Sequence, residues 1–204
     1  MNKQCELASI AIDTQKGIFF VAKQKSGVLA PIHIQKHVTL QLMQCTDSEC
    51  NDIIRAAGQH NPGIECEHLQ AVSQAYVPDV KPLEERFVNE MLQLQILSST
   101  SKQNCIDLKQ KSITDNSPLV VYAPFELLGF STKTKYFSVY TGSENYYSKL
   151  KRVRVSFESS SEEWHCLCPA FKNNHSCVHE KIAKWYMYQY QKEEFLKVKN
   201  RSVY

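Results

Sequence analysis

Trp164-His165-Cys166-Leu167-Cys168-Pro169-Ala170-Phe171-Lys172-Asn173-Asn174-His175-Ser176-Cys177-Val178-His179 is the stretch whose reading decides the fold. Two cysteines one residue apart are followed, eight residues on, by a cysteine and a histidine one residue apart. Zinc takes thiolate sulfur and imidazole nitrogen in a tetrahedron, and a site with four protein ligands leaves no position for a substrate. Cys166, Cys168, Cys177 and His179 therefore imply a closed structural zinc site, and a module built by metal rather than a catalyst.

Working outward, Trp164 to Cys168 alternates as a strand does. So does Lys151 to Phe157, with Val153, Val155 and Phe157 on one face and Arg152 and Arg154 on the other. The first two ligands are expected at the end of a hairpin, pointing to one side of a strand that Pro169 ends. Phe171 is placed to cover the metal, and Lys172 to Ser176 reads as a turn. Beyond His179, Val178, Ile182, Trp185 and Phe195 fall near one helical face. No proline or glycine interrupts the chain through Lys199, so one helix is expected with His179 in its first turn.

C-x-C-P-x-F, a short polar loop, then C-x-H opening a helix resembles the SWIM-type zinc finger, over roughly residues 150 to 190. SWIM fingers occur in Mutator-like transposases, their domesticated relatives, bacterial helicase-associated proteins and some proteins related to ubiquitin ligases. The resemblance implies a structural zinc and a transposon-derived setting, with contacts to DNA or protein.

A diverged copy of the same design reads in the first half. Cys45, Cys50, Cys66 and His68 form C-x4-C-x15-C-x-H, after strand-like alternation from His33 to Leu42. Gly17-Ile-Phe-Phe-Val-Ala-Lys aligns with Lys135-Tyr-Phe-Ser-Val-Tyr-Thr at an offset of 118, as Cys50 does with Cys168, whereas the Cys-x-His pairs align at 111. Self-similarity of this kind implies duplication of one supersecondary unit. Cys45 and Cys50 cannot both project from one flat strand, so a turn through Thr46 to Glu49 must bring the second thiol back. A short helix is expected over Asn51 to Ala57, ended by Gly58, and His60 is an alternative ligand to Cys45. Ordinary buried thiols are the competing reading of Cys45 and Cys50.

Between the copies, Pro82 sits at a helix start, and Leu83, Phe87, Met91 and Leu94 form a stripe at helical spacing. Ser98 to Lys102 and Lys109 to Pro118 are polar and turn-rich. The expected architecture is α+β, with two small zinc-stabilised hairpin-and-helix units joined by a helix. Residues 1–78 form the diverged unit, 79–118 a helix and polar linker, and 119–204 the SWIM-type unit.

Composition bounds the function. The 204 residues are 43% hydrophobic and 22% charged, ordinary for a globular protein, and no stretch approaches the ~20 apolar residues of a membrane span. Eight cysteines without a visible secretory signal fit metal binding in a reducing compartment, so an intracellular location is expected, and the SWIM resemblance implies a nuclear one. Two Zn2+ per chain would use six of these thiols and leave Cys5 and Cys105. The formal charge of +3 falls by two when each zinc displaces three thiol protons, so net charge argues little for nucleic acid. Local clustering argues more. Arg152, Arg154, Lys172, Lys181 and Lys184 bracket the second ligand set, with Tyr146, Tyr147, Tyr186 and Tyr188 nearby, a composition suited to phosphate contact and base stacking. A solvated basic face over a tyrosine-rich core is the bland alternative. Ile10 to Val21 around Asp13 resembles the first hairpin of an RNase H-like nuclease, yet no partner carboxylates follow. The expectation is a non-catalytic recognition module contacting DNA, with no membrane and no small-molecule substrate. Its alternatives are a protein-interaction module and a nuclease fragment.

Overall fold

A computed structural model describes residues 7–25, 28–50, 52, 65–145, 148–174 and 176–201. The chain divides into two compact units: Met1–Pro78 with Ala123–Thr132, and Asp79–Tyr122 with Lys133–Tyr204. The fold is mixed α+β. Among the described residues no helix is long and apolar enough to cross a membrane.

The first unit is a sheet in the order β1-β2-β4-β5, with the two-residue β3 (Val28–Leu29) also on β2. Strands β1 (Leu7–Asp13), β2 (Ile18–Lys25), β4 (Ile32–His37) and β5 (Leu42–Cys45) pair antiparallel. The β1–β2 turn explains the sequence around Asp13. Its Oδ1 accepts the Lys16 amide at 3.2 Å, and Gly17 sits at φ +63°. A Cβ on Gly17 would meet the Lys36 carbonyl oxygen at 2.4 Å, so both conformation and space demand glycine. Val21, Ile34, Cys45 and Leu69 form the core on one face, and Phe20 lies against Phe125 on the other. Helix α1 (Glu67–Gln70) runs into a 3-10 turn, Ala71–Gln74. Tyr76 then exchanges two backbone hydrogen bonds of 2.8 Å with Ser9 and Ala11, covering the outer edge of β1.

The second unit has the sheet β6-β7-β8-β9: Val120–Ala123, Thr134–Tyr140, Arg152–Glu158 and Glu163–Cys166. Residues 79–118 belong to this unit instead of joining two others. Helix α2 (Glu85–Gln93) contributes Val88 and Met91, helix α3 (Ser99–Thr114) Cys105 and Leu108, and the segments before them Leu83 and Leu97, to the core formed by Val139, Val155, Phe157, Trp185 and Met187. The polar Ser98 to Lys102, expected as a turn, starts a sixteen-residue helix because the Ser98 hydroxyl caps it, accepting from the Ser101 amide at 3.1 Å. Most of α3 faces water and only Cys105, Leu108 and Ser112 are buried, so its apolar stripe is too thin to read. Lys172 to Asn174, the first part of the expected turn, instead end a short helix, α4 (Pro169–Asn174). The C-terminal helix is two: α5 (Val178–Tyr190) and α6 (Lys192–Arg201) break at Gln191, whose φ of −137° and ψ of 41° lie outside helical space.

The two sheets share a register. Phe19 pairs Ile34 and Ile34 pairs Cys45 in the first; Phe137 pairs Val155 and Val155 pairs Cys166 in the second. The hairpins that lead to Cys45 and Cys166 both have four-residue loops, 38–41 and 159–162. Both place the fourth loop residue at positive φ, Gln41 at 51° and Glu162 at 60°.

Candidate metal centres

In the second unit β9 delivers Cys166 at its last residue and Cys168 just beyond. The strand stops two residues before the expected second ligand, although the Leu167 amide still reaches the Arg154 carbonyl at 3.3 Å. Cys177 is the residue that caps α5, its sulfur accepting the Glu180 amide at 3.4 Å, and His179 is the second residue of that helix. The three sulfurs and one ring nitrogen lie within 4.8 Å of one another, with Cys166 Sγ 4.0 Å from His179 Nδ1. Phe171 shares the buried cluster with all three cysteines.

The first unit repeats this. Cys45 ends β5, and residues 48–50 turn helically, with the Cys50 amide bound to Asp47 Oδ1 at 3.0 Å. That is the turn needed to bring the second thiol back, and Asp47-x-x-Cys50 is its readable signal. Cys66 precedes α1 and His68 is its second residue. His68 Nδ1 lies 3.3 Å from Cys50 Sγ and 3.8 Å from Cys45 Sγ, and all four ligand atoms fall within 4.8 Å. The expected helix 51–57, Gly58 and the alternative ligand His60 lie outside the described residues.

The donor sets fit zinc. Ligands about 2.3 Å (sulfur) and 2.0 Å (nitrogen) from a tetrahedral ion are separated by about 3.5–3.8 Å, close to the observed separations. Without a cation the thiols crowd unfavourably. Burial and the neighbouring cysteines push the Cys50 thiol up to about 12 and raise Cys45 further. In the second set a hydrogen bond from Cys166 leaves Cys177 the thiolate, at about 4, and Cys166 is raised by the same bond and by burial. A dication at the centre reverses this penalty, since it favours the deprotonated form of every thiol. With zinc held by all four residues, each site would be closed, leaving the ion no position for a substrate.

The five basic residues differ in their surroundings. Arg152 is 1% exposed, with its guanidinium 6.0 Å from the Tyr140 ring, and Arg154 is half-buried, its guanidinium pulled below its ordinary value by desolvation. Of the two arginines expected to point to water, Arg152 is buried, whereas Arg154 stays partly exposed. Lys181 and Lys184 both pair with one buried carboxylate, Glu180, and Lys184 also lies 5.5 Å from the Trp164 ring. Glu180 was not singled out in the sequence; a glutamate one residue after a ligand and four before a lysine is its only signal. Of the five, Lys172 alone is exposed. Tyr186 and Tyr188 are core residues, and Tyr146 and Tyr147 lie outside the described residues. Asp13 is buried in its turn and belongs to neither ligand group.

No family model matches the chain, and no curated protein or solved structure matches it at a significant level.

Proposed function

We propose that this chain is a non-catalytic recognition protein whose two units are each held together by one structural Zn2+. The first ion is bound by Cys45, Cys50, Cys66 and His68, the second by Cys166, Cys168, Cys177 and His179. One observation carries this: two complete sets of three thiols and one imidazole occur at the same strand register, each closed by a Cys-x-His at a helix start. Duplication of one ancestral unit accounts for the shared register, and C-x-C-P-x-F…C-x-H supports a SWIM-type finger in the second. The transposon-derived and nuclear setting rests on that motif. Elemental analysis of purified protein should find two zinc ions per chain. One would leave the first unit without metal, and none would end the reading.

For the partner, the burial of Arg152 and the pairing of Lys181 and Lys184 favour protein over DNA. A DNA titration against salt separates the two. Binding through several phosphates gives a steep salt slope; a protein-binding module gives none.

A further inference from the structure

Glu180 directly follows the ligand His179, and its side chain is only 3% exposed. A carboxylate is costly to bury without partners, and this one has three. Its Oε2 accepts the Ser176 hydroxyl at 3.4 Å and pairs with Lys181 Nζ at 3.2 Å, and its Oε1 pairs with Lys184 Nζ. A glutamate and a lysine four apart on an open helix face contribute little. Here the same pair is taken into the protein, next to a metal centre that does not use it as a ligand.

The partners show what the burial achieves. Ser176 precedes the ligand Cys177, and the Glu180 amide donates to the Cys177 sulfur. This is one half of a capping box, with sulfur in place of the usual hydroxyl, so Glu180 steadies the turn that carries Cys177 and His179. Lys184 reaches the other way. Its Nζ lies 5.5 Å from the ring of Trp164, which sits on β9 two residues before Cys166 and packs on Phe157 at 4.8 Å. Glu180 thus touches the segment of the helix-borne ligand pair and, through Lys184, the strand that delivers the other pair.

The first unit has different residues at these positions. Counted from the ligand histidines, Leu69, Gln70 and Ser73 stand where Glu180, Lys181 and Lys184 do, and Met43 takes the place of Trp164. Lys36 of β4 makes the tie instead, with its Nζ 2.7 Å from Glu65, the residue before Cys66, and 3.2 Å from the Leu69 carbonyl. Two units with one ligand plan and different side chains around it both fasten the Cys-x-His segment to the sheet through a lysine and a carboxylate.

We propose that Glu180 is a positioning residue of the second metal centre: by holding Lys184 against Trp164 it sets α5 on β9, and so keeps Cys177 and His179 at coordinating distance from Cys166 and Cys168. The proposal rests on the zinc reading and adds that affinity at this centre is set partly outside its four ligands. Outer partners of metal ligands are commonly worth about 10–100-fold in affinity. The lower end, about tenfold, is expected here, because Glu180 acts through a turn and a lysine and not on a ligand side chain.

Zinc competition against a chromogenic chelator, on the full chain, tests this, with the second centre identified as the one lost in His179→Ala. Glu180→Gln keeps the size and removes the charge. It should weaken the second centre about tenfold and leave the first unchanged. At saturating zinc it should still hold as much metal as the unmodified chain, with unaltered far-UV circular dichroism. Lys184→Met should weaken the same centre equally, and combining the two should cost little more, since both break one bridge. Lys184→Arg keeps the charge and the contact with Trp164, and should retain the affinity. If Glu180→Gln does not fold, the two Lys184 variants give the same test. Unchanged or tighter binding in Glu180→Gln, equal weakening of both centres, or additive losses in the double variant would overturn the proposal. An unmodified chain that binds no zinc at the second centre is a different result, which ends the metal reading and this proposal with it.

Discussion

In the second unit Cys166, Cys168 and Cys177 are all buried, and the Cys177 sulfur accepts a helix amide. In the first, Cys45 and His68 are buried, but Cys50 and Cys66 are half-exposed and Cys66 caps nothing. The surroundings differ in the same sense. The second ligand set sits in a core that draws on two helices from residues 79–118, a full sheet and a thirteen-residue helix. Against the first lie Val21, Ile34 and Leu69, several half-buried side chains and a one-turn helix, while a further buried set that includes Ile10, Phe20 and Phe125 fills the other face of its sheet. The same ligand plan can thus be an inner part of a large core or the main support of a small one. On the proposed reading, zinc would replace packing on the ligand face of the first unit and add to it in the second.

The largest expected effect is ligand removal. Structural zinc in small modules supplies on the order of 10–16 kcal/mol of apparent binding free energy, against ~5–15 kcal/mol of net stability for a domain. His68→Ala should unfold residues 7–76 while Val139, Val155 and Trp185 keep their amide protection. His179→Ala should release α4 and the start of α5, and leave α2 and α3 partly protected because their apolar contacts do not involve the metal. Hydrogen exchange reads both. Uniform loss across the chain after either substitution would break the comparison by making the two units one cooperative body.

Metal release sharpens it next. Under a chromogenic chelator zinc should leave in two phases, the faster from the half-exposed set. Cys50→Ser should abolish the fast phase and spare the slow one. A single phase, or loss of the slow phase in Cys50→Ser, would contradict the difference in burial.

The smallest effect belongs to the turn. Gly17→Ala should cost the first unit ~1–3 kcal/mol or more, because alanine is strained at positive φ and its Cβ meets the Lys36 carbonyl. At Lys135, the residue in step with Gly17 in the second sheet, substitution by alanine should be close to neutral. Chemical denaturation that reports each unit separately checks both.

Much of this was legible from residues alone where the information is local. The helix start at Cys177-Val178-His179 and the alternation of Val153, Val155 and Phe157 are short-range patterns, and both are found. The offset of 118 between Phe19 and Phe137 holds in the strand register, although it shifts to 121 at Cys45 and Cys166, since the chain between the paired strands differs by three residues. Helix α3 was not legible: Ser99 to Thr114 has few apolar residues, and its stability comes from a cap and from the core that Cys105 and Leu108 enter.

By itself the sequence determined the ligand sets, their order on strand and helix, and the α+β class, because soft ligands at close spacing and strand alternation need no knowledge of distant chain. Only the tertiary structure decided that Arg152 is buried, that Lys181 and Lys184 share Glu180, and that residues 79–118 build the second unit. Alternation shows that a strand has two faces; which face meets water depends on what another part of the chain lays over it.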